Sequence, residues 1–228
     1  MFEPGEFNPL IYWVHVVLGF GSALFVMVAL TSRKGSLLQR RSGKFFAVSM
    51  GAAALSALYF FAAGPPAPPV LISAAASIYG IGMAILSLKD RKGIWRMTQA
   101  ILAIVSILIG LLYVAFVAFA VMVPEIPIYL ALLGPAAGIL FLAMGWQDIG
   151  FLRAQAPTSN RRLKRHALRM ALVAAEVVRA PAVSFGPQFL GDATFDFYSF
   201  GPFLLIPLIY FMALPDWIKQ QEAKKQPA

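Results

Sequence analysis

PLIYWVHVVLGFGSALFVMVALT, residues 9–31, carries one ionisable side chain, His15, and no proline after Pro9. A hydrocarbon core about 30 Å thick needs roughly 20 apolar residues of helix, so this stretch reads as a complete membrane span. Six further segments of the same kind follow, at 43–63, 69–88, 97–123, 127–147, 166–186 and 198–215. The breaks carry turn chemistry. Gly64-Pro65-Pro66-Ala67-Pro68-Pro69 separates the second and third segments, and Pro124-Glu125-Ile126-Pro127 the fourth and fifth. Proline lacks the N–H that would continue a helix. The expected fold is all-α, a polytopic membrane protein in which residues 1–228 form a single domain of seven transmembrane helices.

Composition agrees. Of the 228 residues, 60% are apolar and 13% charged, and the mean hydropathy is +0.75. These values lie far from those of a soluble domain. The longest stretches between spans, near 148–165 and 187–197, are too short to enclose a core of their own. With no cysteine, disulfides, iron–sulfur clusters, thiol nucleophiles and thioether-linked haem are excluded, and two histidines are too few for a His-rich zinc site.

The net charge of +9 would point to nucleic acid in a soluble protein, but here it follows membrane topology. Arg33, Lys34, Arg40, Arg41 and Lys44 follow the first span. Lys89, Arg91, Lys92 and Arg96 follow the third, and Arg153, Arg161, Arg162, Lys164, Arg165 and Arg169 surround the fifth-to-sixth connection. Lys219, Lys224 and Lys225 end the chain. Of the 19 Lys and Arg, only Arg179 lies elsewhere, while Glu3, Glu6, Glu125, Asp192 and Asp196 fall on the opposite side. The positive-inside rule therefore puts the N-terminus outside and the C-terminus in the cytoplasm. The basic face is explained by insertion and by anionic lipid, with no nucleic-acid partner. Met1-Phe2-Glu3-Pro4-Gly5-Glu6 offers no positive n-region and the first span is too long for a signal-peptide core, so it is expected to stay as an anchor. Trp13, Trp95, Trp146 and Trp217 fall near helix ends, as interfacial anchors do. Gly134-x-x-x-Gly138, Gly80-x-Gly82 and the small residues from Ser49 to Ala57 would let helices approach closely within the bundle, and homo-oligomer or membrane-complex contacts are the competing use.

Ionisable side chains inside a span are costly and mark functional candidates. His15, Glu176 and Arg179 qualify. Glu176 and Arg179 are three apart on the sixth helix and share a face. His15 lies about 9 Å below the outer end of the first helix, a depth close to that of Arg179. Two readings are open. The three form one outer-half polar cluster that binds a ligand or relays protons, or the acid and base neutralise each other while His15 donates to a carbonyl of a neighbouring helix. Arg161, Arg165 and Arg169 recur every four residues, one stripe that would suit lipid phosphates. Asp148, at the end of the fifth helix, is expected to pair with the basic loop or to cap a helix.

Two histidines in a helical bundle raise haem b. His166 lies roughly 27–30 Å below the outer surface and His15 about 9 Å, so one iron cannot join them. A haem held by His166 with a Met or Tyr, or a bound quinone near Tyr12, His15 or Arg179, is the redox alternative. No G-x-S-x-G, H-E-x-x-H or Walker A motif is present, so no catalytic residue is assigned. Pro202, Pro207 and Pro215 would kink the seventh helix, a feature of some transporters, but the halves show no internal repeat.

Gln39-Arg40-Arg41-Ser42-Gly43-Lys44-Phe45-Phe46-Ala47-Val48-Ser49-Met50, Arg165-His166-x-x-Arg169-Met170, and His15 with Gly19 together resemble a family of bacterial inner-membrane proteins of predicted seven-helix topology and unknown function. That family reads His-Arg-Arg-x-Gly before an F-x-x-S-M helix start, and Gln39 stands here in place of the histidine. The resemblance implies a multi-pass protein of the bacterial inner (cytoplasmic) membrane and no particular reaction. The functional expectation is a non-enzymatic accessory subunit, or a binder of a lipid-like small molecule through His15, Glu176 and Arg179. A haem- or quinone-binding redox protein and a small-solute or proton transporter, with Glu176 as the exchanging acid, are the alternatives.

Overall fold

The computed structural model describes residues 8–33, 35–64, 68–89, 92–120, 128–154 and 159–190. Among the described residues the chain is all-α, with six helices and no strand: α1 (Pro9–Thr31), α2 (Leu37–Ala63), α3 (Pro68–Ser87), α4 (Gly93–Ala120), α5 (Ile128–Arg153) and α6 (Ser159–Leu190). Four are long and apolar enough to cross a membrane: α1, α2, the Val70–Ser87 part of α3 and the Gly93–Ala115 part of α4. The seventh expected span, 198–215, with its prolines and Trp217, lies outside the described residues.

Local chemistry sets the first helix boundaries. Asn8 caps α1 by accepting from Leu10 N at 3.0 Å, and Pro9 follows in the first turn, where its missing N–H costs nothing. Ser36 caps α2, accepting from Gln39 N at 3.2 Å. The turn before it needs φ +82° at Gly35, a left-handed conformation that a side chain would strain. As a result α2 starts at Leu37, not at 43 as apolar length predicts. The same correction applies to α4, which starts at Gly93, to α5, which continues to Arg153, and to α6, which starts at Ser159. Leu, Lys, Arg, Gln and Met are good helix formers in or out of the bilayer, so the helices outrun their apolar windows at this end.

Successive helices are antiparallel, as the contacts between them run in opposite residue order. On α1 and α2, Ser22 meets Met50 and Phe25 stacks on Phe45, with ring centroids 5.2 Å apart. On α4 and α5, a Cβ on Gly110 would fall 2.8 Å from the Gly138 carbonyl oxygen, and one on Gly145 would fall 2.9 Å from that of Ala103. The α4 and α5 backbones thus touch where glycine removes the side chain. Gly80 does the same for α3 against Val173 and the Arg169 carbonyl of α6, and Gly82 lies against Leu102 of α4. These glycines serve packing within the chain.

Two apolar clusters result. Tyr79 and Met83 of α3, Ile109 and Tyr113 of α4, Phe141 and Met144 of α5 and Leu172 of α6 form the larger. Val26, Phe46 and Met50 of α1 and α2 join Ile81, Val173 and Val177 in the second, which docks the first hairpin on α3 and α6. The outward faces remain apolar, with Leu10, Trp13, Val17, Phe20, Leu24 and Met27 exposed along α1 and Ile94, Ile101, Ile104, Leu108 and Leu111 along α4. Trp13 and Trp95 are exposed near the starts of α1 and α4, whereas Trp146, also exposed, is two turns inside α5 because that helix continues to Arg153.

The α1–α2, α3–α4 and α5–α6 connections share one end of the bundle, which gathers the exposed Arg33, Arg40, Arg41, Lys44, Lys89, Lys92, Arg96, Arg153, Arg161 and Lys164. This is the basic end.

Candidate functional site

Toward the basic end, α6 turns Arg165 and Arg169 into the bundle. Arg165 is 7% exposed and Arg169 is fully buried, so neither lies on the lipid-facing surface where a stripe of lipid-phosphate contacts was expected. Their partner is Asp148, also fully buried. Oδ1 of Asp148 accepts from Arg165 Nε at 2.7 Å and from Arg169 Nη2 at 2.7 Å, and Oδ2 accepts from the Tyr79 hydroxyl at 2.7 Å. α5 runs past the 147 expected as its last residue, so Asp148 projects from the helix interior instead of capping an end.

Four helices complete the cluster. Arg165 Nη1 donates to Gln99 Oε1 of α4 at 2.9 Å, its Nη2 donates to Met83 Sδ of α3 at 3.4 Å, and its guanidinium carbon sits 4.1 Å from the centre of the Phe151 ring. Gln99 is held in turn by donating Nε2 to the Leu86 carbonyl at 3.3 Å. Arg169 Nη2 also donates to the Met144 carbonyl at 2.9 Å. Arg161, the first member of the stripe, is exposed, with its guanidinium 5.9 Å from the Phe151 ring. Spacing of four residues did put the three arginines on one face. That face turns inward with depth along α6.

The second buried group lies two helical turns further along α6. Arg179 Nε donates to Glu176 Oε2 at 3.0 Å, and the side chains are 7% and 1% exposed. Ser73 of α3 and the buried Tyr113 of α4 lie close to the pair. The pairing expected from the three-residue spacing is present.

His15 does not owe its position to α6. Its Nδ1 lies 2.8 Å from Ser56 Oγ and 3.1 Å from the Ala53 carbonyl oxygen, both on α2, and its ring meets Phe60 edge-on at 5.2 Å. This is the arrangement in which His15 bonds a neighbouring helix while the acid and base neutralise each other. His166, expected at the start of a span, is seven residues inside α6, with Nδ1 2.9 Å from the Ala84 carbonyl oxygen of α3. The two histidines lie toward opposite ends of the bundle, as their depths in sequence require.

Sequence reasoning expected Asp148 to pair with the basic stretch, as it does with Arg165 and Arg169, but missed Tyr79, Gln99 and the burial of the whole cluster. The available signal was the position of Asp148: one acid, five residues before the end of a long helix, antiparallel to a helix that starts with five cations. No family model, curated protein or solved structure matches the chain.

Proposed function

We propose that the chain is a multi-pass protein of the bacterial inner membrane, with seven spans, its N-terminus outside and its C-terminus in the cytoplasm, that binds a lipid-like small molecule through polar groups turned into its bundle. One observation carries this reading. α6 buries Arg165, Arg169, Glu176 and Arg179 among apolar helices. Burying charges in a low-dielectric layer costs several kcal/mol or more per ion, whereas apolar residues of similar volume would pack as well or better. Such groups persist where they recognise something polar. The exposed apolar faces of α1 and α4 suit a bilayer, the source of such an amphiphile.

The division of basic residues supports the orientation, since the exposed cations collect at one end and Arg179 stands apart. Mass spectrometry of the full chain purified in mild detergent tests the binding. The expected result is one class of amphiphile retained at near one per chain and enriched over the surrounding membrane. Lipid in the proportions of the bulk membrane, with no stoichiometric adduct, would overturn the reading.

A further inference from the structure

At the Asp148 cluster, the charges do not balance. Arg165 and Arg169 bring two guanidinium groups, which stay protonated in proteins, and Asp148 brings one carboxylate. Both oxygens of that carboxylate are engaged, Oδ1 by the two arginines and Oδ2 by Tyr79. Gln99 and the Met144 carbonyl, the other oxygen acceptors, are neutral. Glu176 is seven residues further along α6, about 10 Å by helical rise, and is paired with Arg179. Among the described residues the cluster therefore carries one surplus positive charge.

The surplus sits on Arg169. Its side chain is fully buried, yet among the described residues Nε and Nη1 have no acceptor, and between them they carry three N–H donors. Only Nη2 is committed, to Asp148 and Met144. A cation with unused donors in a water-poor interior is a strong attractor for oxygen anions, because charge-assisted hydrogen bonds there are roughly twice as strong as neutral ones.

We infer that Arg169, backed by Arg165 and Asp148, is an oxyanion-recognition site that takes one singly charged oxygen acid, a phosphodiester or a carboxylate, on the Nη1 side of its guanidinium. One negative charge balances the cluster and a dianion would overshoot it. Nε and Nη1 lie on different edges of the guanidinium, so a single anion engages Nη1, while Nε is left for a second oxygen of the same ligand or for water. Tyr79, Gln99 and Phe151 act as positioning residues that hold the two guanidinium groups. The inference rests on the ligand-binding reading above and gives that ligand its headgroup chemistry.

Thermal unfolding of the full chain in neutral detergent tests it with three probes at constant ionic strength, in mildly acidic buffer that keeps inorganic phosphate mostly monoanionic: a lysophosphatidylglycerol, the lysophosphatidylcholine of the same acyl chain, and inorganic phosphate. The lysophosphatidylglycerol should raise Tm saturably, by about 5 °C at a hundredfold excess over Kd, and the zwitterion should not. Arg169→Met leaves a neutral Arg165–Asp148 pair and should abolish the shift. Arg169→Lys keeps the charge without the planar fork, should weaken binding about tenfold, and serves if the first variant does not fold. A shift produced by phosphate alone and lost in the variants supports the site while overturning the lipid reading. Equal shifts in wild type and either variant, or no shift with any anion, overturn the site itself. If an amphiphile is still retained in that case, the lipid reading stands without it.

Discussion

Arg169 and Asp148 meet across α6 and α5 with Nη2 2.7 Å from Oδ1, and both side chains are fully buried. The same carboxylate oxygen also accepts from Arg165, so one acid anchors two turns of α6 to α5. Loss of the acid would leave two cations facing each other in a low-dielectric space.

Asp148→Asn should therefore destabilise the bundle more than replacing Asp148, Arg165 and Arg169 together by apolar residues of similar volume. Breaking a buried ion pair costs about 3–5 kcal/mol, whereas exchanging the whole group for apolar side chains is often neutral. Thermal unfolding of both variants in detergent checks the order, and a triple variant less stable than the single one would contradict it.

The same argument applies to Glu176 and Arg179. Glu176→Ala strands Arg179, while Glu176→Ala with Arg179→Leu strands nothing, so the single variant should be the less stable by roughly 1–4 kcal/mol. Equal or smaller loss in the single variant would show that the 3.0 Å contact contributes no coupling.

Gly138→Ala should cost about 1–3 kcal/mol by overpacking, because the new Cβ would lie 3.0 Å from the Gly110 carbonyl oxygen and 2.9 Å from Val114 Cγ2. Gly150→Ala on the same helix meets nothing within 4 Å and should be neutral or slightly stabilising. Unfolding temperatures of the two variants, compared under one condition, provide the check.

A reporter inserted between Lys89 and Lys92 should be active only in its cytoplasmic form, and one fused after Ala228 should behave alike. The first insertion tests orientation without reference to the seventh span. The second adds the parity of the span count. A periplasmic reading at the α3–α4 connection would overturn the orientation, and disagreement between the two sites would overturn the count of seven.

Apolar length alone determined that α1 to α6 exist, because hydropathy over some 20 residues reports what a bilayer accepts. It placed the end of α1 at Thr31 and that of α2 at Ala63, since lipid solubility and helix end together there. It missed the basic end, where Ser36, Gly93 and Ser159 start or precede helices that run through cationic sequence. A helix needs only backbone hydrogen bonds and good formers, and hydropathy is blind to both.

Local spacing likewise decided the Glu176–Arg179 pair, because residues three apart on a helix are neighbours whatever surrounds them. Spacing also put Arg161, Arg165 and Arg169 on one stripe, but the direction that stripe faces is not a local property. In a membrane, the inward and outward faces of a helix are equally apolar, so only the tertiary structure decided that Arg165 and Arg169 meet Asp148 and that His15 meets α2. The residues of the cluster are separated by up to 90 positions between Tyr79 and Arg169 on four helices, and their meeting depends on which helices pack together and at what register. Glycine contacts at Gly80, Gly110 and Gly138 set that register by letting backbones touch, and through it they decide which charges face one another.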